Sequence, residues 1–326
     1  LFRSGDVETL HATPRNSVGV QPRGLLFGSE GNFGIITKAV LKVHPKPVAR
    51  EYGALLFKTF ADGVNYLKEL RQTGALPASI RLVNNNEFRF GQALKPAPSL
   101  VQHWKEKVQK FALLKVMGFD PLQMVACTIL MEGTEDEVKH QQRTIFKLAK
   151  TYGGKSAGAA NGKRGYTLTF GIAYIRDFLN QFNFLGETFE TSVPWNKIHP
   201  VTQAVQEKLT EQCASYNIGG RPYLAYRVTQ TYHTGVCIYF TMGFSGRGLQ
   251  DPIAIYHKIE HSLRQTIMDH GGSLSHHHGV GKIRQGFMRQ VQSDGSIAVL
   301  QKTKQAIDPK NVFGIRNGIF TDADLG

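Results

Sequence analysis

Cysteine is scarce in this chain: three residues, Cys127, Cys213 and Cys237, in 326. They are odd in number, far apart and without metal-like spacing, so neither a disulfide framework nor a zinc site is expected, and a reducing, intracellular setting fits. Long apolar runs are missing too. No stretch reaches the roughly 18 to 20 residues of a spanning helix, which leaves a soluble protein or one lying on a membrane surface. Acidic side chains are short, 25 against 39 Lys and Arg, for a formal net charge of +14. That field favours anionic partners: phosphate compounds, nucleic acid or acidic lipid head groups. No nucleic-acid partner is expected, because neither a recognisable motif nor a paired aromatic platform is present. An initiating methionine is absent, the chain opening Leu1-Phe2-Arg3 with no leader-like segment. The expectation is a piece lacking its N-terminal part, with any address upstream. The end, Ala323 to Gly326, is not a receptor-read tail.

What is present is a globular composition. Hydrophobic residues make up 41% and charged residues 20%, which excludes disordered, collagen-like and coiled-coil chains. The length suits about two domains. Residues 24–45 read as a Gly-rich loop running into a strand at Ala39 to Val43, ended by Pro45 and Pro47, with a boundary near 48. Beyond it, Tyr52 to Phe57 is extended, Asp62 to Arg71 puts Val64, Leu67 and Leu70 on one helical face, and Ala78 to Val83 and Gln123 to Met131 are further strands. Thr134 and Glu137 have capping-box spacing, and Gly153-Gly154 ends the helix they start. Helices are predicted at 165–182, 201–215, 251–270 and 296–307, with a hairpin from 223–231 and 235–243. Strands meeting directly among helices predict an α+β architecture, an antiparallel sheet carrying helices as a cap on a first domain.

Five strings carry candidate chemistry. Gly28-Ser29-Glu30-Gly31-Asn32-Phe33-Gly34-Ile35-Ile36-Thr37 has three glycines within seven residues. It reads either as a plain tight turn or as a cradle of exposed amides for a phosphate or the polar edge of a flavin. No helix follows, so it is not a Rossmann fingerprint. His276-His277-His278 alternate faces if extended, which makes a shared metal difficult; they are proton shuttles or a solvated loop. Tyr239 shares a strand face with Cys237 and Thr241, opposite Val236, Ile238 and Phe240, and is either a general acid or base or an ordinary core tyrosine. Arg81 and Arg176 are arginines in apolar surroundings, suited to a phosphate or carboxylate; the plain alternative is a salt bridge, for Arg176 to Asp177 or another carboxylate, and Arg81 poses the same choice.

The Gly28 to Thr37 string resembles the end of the FAD-binding domain in the flavoprotein family typified by vanillyl-alcohol oxidase and D-lactate dehydrogenases. There Gly-(Ser/Thr)-Glu-Gly-x-x-Gly-(Ile/Val)-(Ile/Val)-Thr contacts the flavin. Pro77 to Leu82, Phe90 to Pro96, Ile172 to Asp177, Gly186 to Ser192, Arg227 to Tyr232 and Ser275 to Lys282 occur in order and resemble the ether-lipid branch of that family, the alkylglycerone-phosphate synthases. The resemblance implies the C-terminal part of an FAD-binding domain over 1–47, a cap domain with the catalytic residues over 48–317, and a tail over 318–326. It implies FAD as cofactor, with Glu30, Gly31, Asn32, Phe33, Gly34, Ile35, Ile36 and Arg81 beside it, and no metal. It implies exchange of the acyl group of acyl-dihydroxyacetone phosphate for a long-chain fatty alcohol, with no net redox change. Tyr239 matches the acid/base residue, His276, His277 and His278 the essential histidine motif, Arg176 the phosphate-binding arginine, and Thr188 a position usually held by serine. Asn32-Phe33 stands where Thr-Leu is common. The alternative is a redox FAD-linked oxidase or dehydrogenase of a hydroxy acid or alcohol. A peroxisomal location, a peripheral membrane surface and a homodimer are further expectations from the family, and residues 1–326 alone are expected to bind flavin poorly.

Ser99 to Gly118 interleaves Trp104, Val108, Phe111 and Leu114 with Lys105, Lys107, Lys110 and Lys115. A basic amphipathic helix of this kind can lie in a lipid interface or pack on the protein.

Overall fold

The structure is a computed structural model that describes residues 13, 17, 19–95, 104, 107–108 and 110–321. The chain forms two compact units, Lys46–Ser273 and the paired segments Leu1–Pro45 and Leu274–Gly326.

The first unit is built on β1 (Ala49–Phe57), β2 (Ser79–Val83), β3 (Val125–Gly133), β4 (Lys155–Ser156), β5 (Phe184–Pro194), β6 (Tyr223–Thr231) and β7 (Gly235–Ser245). These form one sheet in the order β4-β1-β3-β2-β6-β7-β5, and the paired neighbours run antiparallel. Between them lie α1 (Phe60–Gln72), α2 (Asn85–Ala93), α3 (Glu135–Thr151), α4 (Ala159–Asn180), α5 (Ile198–Ser215) and α6 (Pro252–Asp269). Capping boxes start α1 at Thr59 with Asp62 and α3 at Thr134 with Glu137, each satisfying two backbone donors that the first turn leaves free. β6 and β7 form the expected hairpin, closed by the Tyr232 amide on the Gly235 carbonyl at 2.7 Å.

Successive strand residues point to opposite faces, and the two faces of this sheet differ in kind. Leu82, Cys127, Ile129, Val228, Ile238, Phe240 and Phe189 face a core closed by Val64, Leu67 and Leu70 of α1, Ile145 of α3, Val201 and Val205 of α5, and Leu263 of α6. The opposite face carries Arg81 against Thr128, Arg227 against Tyr239, and Thr188 against Thr241. Helix α4 crosses this second face, its Tyr166 ring 5.6 Å from the Arg81 guanidinium carbon. Its approach needs glycine: a Cβ on Gly165 would meet Thr128 Cγ2 at 2.5 Å, and one on Gly162 would meet the Gly53 carbonyl oxygen at 2.2 Å.

The second unit holds one longer helix, α7 (Asp294–Ile307), and a small core of Phe33, Ile297, Ile319 and Phe320. The Phe33 and Phe320 rings meet edge to face at 5.3 Å. The cap expected over 48–317 contains a boundary between the two compact units at Ser273, because Ile297 and Ile319 pack with Phe33 of the N-terminal segment. The stretch expected as a tail from 318 begins with two buried residues, Ile319 and Phe320; residues 322–326 lie outside the described residues. The strand expected over Ala39 to Val43 does not form among the described residues, and Val40, Leu41 and Val43 are exposed. Apolar alternation marks a strand only where a neighbour completes its hydrogen bonds. Most of the basic amphipathic segment from Ser99 lies outside the described residues; Ala112–Val116 close it with a π-helical turn.

Gly162→Ala should destabilise the protein by about 1–3 kcal/mol, since overpacking against rigid backbone outweighs the gain in helix propensity. Gly171→Ala in the same helix, where a Cβ meets nothing within 4 Å, should be neutral or mildly stabilising. Urea unfolding of both variants checks the contrast, and equal effects would disprove the close approach at Gly162.

Candidate active site

Tyr239 stands on β7 between Glu190 of β5 and Arg227 of β6. Its hydroxyl donates to Thr188 Oγ1 at 3.0 Å, and the Arg227 guanidinium carbon lies 4.4 Å from its ring centre, a cation over a π face. Arg227 is 9% exposed and donates to Glu87 Oε1 at 2.7 Å. Glu87 lies in the first turn of α2, where Asn84 caps the helix by accepting from the Glu87 amide. The pair is largely buried and charge-assisted, and the phenol is held from two sides, by the guanidinium over its ring and by the Thr188 hydroxyl at its oxygen.

Arg81 lies on the same sheet face, two residues along β2 from Val83, which pairs with Arg227. Its Nη1 is buried and has no hydrogen-bond partner. Burial, with the neighbouring Arg227 charge, lowers the pKa of its guanidinium. A buried donor left unsatisfied is costly, and an anion placed against it relieves both strains. Along this face opens a cavity of about 1580 Å³, larger than the roughly 300–1,000 Å³ usual for small-molecule sites. Its walls are mainly aliphatic, Ala126, Leu113, Leu114 and Leu168 among them, while seven basic side chains line it against one acidic group, Glu87. Space of this kind accepts a long apolar chain with an anionic end.

Arg176 sits elsewhere on α4. Its side chain is 62% exposed and pairs with Asp177 at 3.4 Å, the plain alternative the sequence offered. The three cysteines are buried, and burial pushes the Cys237 and Cys213 thiols each up to about 11. Neither is a thiolate nucleophile at neutral pH.

In the second unit the glycine-rich turn is a hydrogen-bonded junction. Gly28 and Gly31 have φ of +82° and +86°, conformations that favour glycine. Asn32 Nδ2 donates to the Ser29 carbonyl at 2.8 Å and the Asn317 carbonyl at 3.2 Å, while its Oδ1 is buried without a partner. Lys304 of α7, 1% exposed, donates to Asn32 O at 2.8 Å, Asp308 Oδ2 at 2.6 Å and Phe313 O at 3.1 Å. Asp308 in turn accepts from the Val312 and Phe313 amides, each at 2.9 Å. The Glu30 carboxylate is engaged by the Val280 and Gly281 amides. His276, His277 and His278 follow one another in a bend, with the Nδ1 atoms of His276 and His277 2.9 Å apart and the His277 and His278 rings 4.4 Å apart. His276 is half-buried, and the other two are exposed.

Within the first unit, therefore, Tyr239 and Thr188 are in contact and Arg81 shares their face, whereas Arg176 is exposed on α4 and pairs with Asp177. Within the second, Glu30 and Asn32 are tied down and Phe33 is core. Sequence reasoning missed Arg227, Glu87, Lys304 and Asp308. The alternation of β6 carries the signal for Arg227, and the Asn84 to Glu87 spacing carries it for the cap. Lys304 and Asp308 had only an i, i+4 spacing to mark them.

Residues 46–315 match the FAD linked oxidases, C-terminal domain, and the chain belongs to that family. An alkyldihydroxyacetonephosphate synthase of Caenorhabditis elegans is 38% identical over 96% of this chain and 53% of its own. One of Dictyostelium discoideum is 30% identical over 94% of this chain and 50% of its own. A solved alkyldihydroxyacetonephosphate synthase superposes with a TM-score of 0.72 at 26% identity, covering 91% of this chain and 49% of that one. The chain thus spans about half the length of the curated relatives it matches. FAD is the cofactor of this family, and the residues present fit it. Asn32 Oδ1 is an unpaired buried acceptor, a Cβ on Gly28 would meet nothing within 4 Å, and Ile35 and Ile36 are exposed aliphatic surface for a planar ring.

Two outcomes follow for the junction. Lys304→Met should cost about 3–5 kcal/mol, because it strands the Asp308 carboxylate in the interior; denaturant unfolding at neutral pH measures it. Burial alone would raise the Asp308 pKa, but Lys304 and the Phe313 and Val312 amides outweigh it and hold the carboxyl below its usual range. A depressed folded pKa gives stability that is present above the unfolded value of about 3.9 and lost as pH falls through the folded one. Stability should therefore fall below about pH 4 in the native protein and less steeply in Asp308→Asn; parallel acid limbs would refute the assignment.

Proposed function

We propose that the protein replaces the fatty acyl group of acyl-dihydroxyacetone phosphate with a long-chain fatty alcohol, giving alkyl-dihydroxyacetone phosphate for ether-lipid synthesis. The observation that carries this reading is the large aliphatic cavity with its excess of cations, opening on the sheet face that holds Arg81, Arg227 and Tyr239. An oxidase of a small hydroxy acid has no use for such a volume. The names of the relatives support the same reading.

Bound FAD supplies the electron-poor ring system beside which the glycerone carbon reacts; Asn32, Ile35 and Ile36 would hold it on this chain's side. The exchange balances without an oxidant: the ester C1–O bond breaks, the fatty carboxylate leaves, and the alcohol oxygen bonds to C1 as its proton is released. Tyr239 serves as acid and base for the C1 proton, its phenol oriented by Thr188 Oγ1 and its ring by Arg227. His276, His277 and His278 relay protons near neutral pH. Arg176, exposed and only loosely paired with Asp177, is the fork for the substrate phosphate. Arg81 faces the anionic end of a chain in the cavity. Both fatty chains occupy apolar space, which excludes water from the carbon undergoing exchange.

The proposal includes a peripheral membrane enzyme of the peroxisome acting as a homodimer, on the strength of family resemblance. For the membrane there is also a surface: Trp104, Val108 and Phe111 are each more than 60% exposed, with Lys107 5.6 Å over the Trp104 ring. No helix among the described residues is long and apolar enough to cross a membrane.

Incubation with palmitoyl-dihydroxyacetone phosphate and labelled hexadecanol should yield alkyl ether and free fatty acid without net flavin reduction. Tyr239→Phe should lower the rate by about 10²–10⁴. Bleaching of the flavin by a hydroxy acid, with no ether formed, would transfer the function to the redox alternative. Trp104→Glu with Phe111→Glu should weaken sedimentation with anionic liposomes, and unchanged binding would remove the membrane surface from the proposal.

A further inference from the structure

Both carboxylate oxygens of the glutamate in the glycine-rich turn are engaged by backbone amides. Glu30 Oε1 accepts from the Val280 amide at 2.6 Å and Oε2 from the Gly281 amide at 2.7 Å. These two amides follow the histidine run after one residue, Gly279. Successive backbone N–H groups converging on one anion form a nest, and here the anion is a side chain from 250 residues earlier. The contact is built for that carboxylate. Gly279 has φ +80°, Gly281 φ +56°, and a Cβ on Gly279 would approach Glu30 Oε1 to 2.7 Å. Arg284 Nη1 holds the Gly279 carbonyl at 2.6 Å, the Gly318 amide donates to the Gly281 carbonyl at 3.0 Å, and Asn317 Nδ2 reaches the Glu30 carbonyl at 3.4 Å. Glu30 itself has φ +50°. A residue other than glycine in the left-handed region is costly, and persists where its surroundings over-determine it; glycine would relieve the backbone and abolish the clamp.

We infer that Glu30 is a positioning residue for His276–His278, fastening the C-terminal end of the histidine loop to the turn Gly28–Gly34, so that the histidines and the flavin-contacting turn are kept in one register. Its carboxylate does not ligand the cofactor. What the histidines do chemically rests on the function proposed above; that Glu30 holds their loop does not.

The test uses the FAD-loaded full-length protein with Glu30→Ala, the gentler Glu30→Gln, which keeps one acceptor but turns an NH2 group toward an amide, and Gly279→Ala, which disturbs the clamp with Glu30 intact. Amide hydrogen exchange across 276–281 should quicken by about tenfold in Glu30→Ala, the factor for one lost hydrogen bond, less in Glu30→Gln, and comparably in Gly279→Ala. Labelling of His276–His278 by diethyl pyrocarbonate should rise in the same order, while FAD occupancy stays at the wild-type level. In the ether-forming assay kcat should fall with KM retained. Loss of FAD from Glu30→Ala with exchange at 280–281 unchanged would overturn the inference and make Glu30 a cofactor ligand. So would wild-type exchange and labelling in Gly279→Ala. Exchange, labelling and FAD occupancy need no substrate, so a failed ether assay with the other readouts as expected would count against the proposed reaction and leave the clamp standing.

Discussion

The strict alternation of side chains along an antiparallel strand is the constraint on which the larger unit depends. The longer strands must send alternate residues to the helix-covered core, and Leu82, Val228, Ile238 and Phe240 take those places. The residues between them are released from packing and are forced, by the same geometry, onto one common face. Arg81, Arg227, Tyr239 and Thr188 come together there from four different strands. A shift of one residue in any register would bury a charge and expose a core side chain at once, so the site is as well determined as the core itself.

A buried ion pair plays the corresponding part in the smaller unit. Four core hydrophobic residues supply little apolar burial, and the Lys304 ammonium compensates by gathering three acceptors: Asn32 O, Asp308 Oδ2 and Phe313 O. The arrangement joins the glycine-rich turn, the end of α7 and the loop after it through hydrogen bonds, not through area. Such groups are expensive to desolvate and tolerable only when every partner is met. The consequence is a turn held rigidly enough to meet a planar cofactor while keeping Asn32 Oδ1 without a protein partner.

How far the fold could be read beforehand depended on whether the signal was local. Capping boxes at Thr134, the apolar face of α1 and the β6–β7 hairpin are written within a few residues of each other, and the structure has them. β5 escaped notice because Phe184 to Pro194 mixes Gly, Glu and Thr with few β-branched aliphatics, its place at the sheet edge being secured by β7. Ala39 to Val43 misled in the opposite sense, having strand chemistry and no described strand beside it. The site was legible as strings, Tyr239 and Arg81 included, but their company was not: Arg227 was one basic residue among 39 until the sheet placed it 4.4 Å from the tyrosine ring.

By itself the sequence determined the alternation of strands and helices, the surplus of positive charge and the motif strings that mark the family, because each is a property of neighbours along the chain. Tertiary structure alone decided that the Glu30 carboxylate binds backbone 250 residues away, that Lys304 is buried beneath Asn32, and that an aliphatic cavity lies beside the arginines of one sheet face. These depend on which distant segments share a surface, and hydrogen bonds and cavities of that kind come into being only once the loops between them have closed.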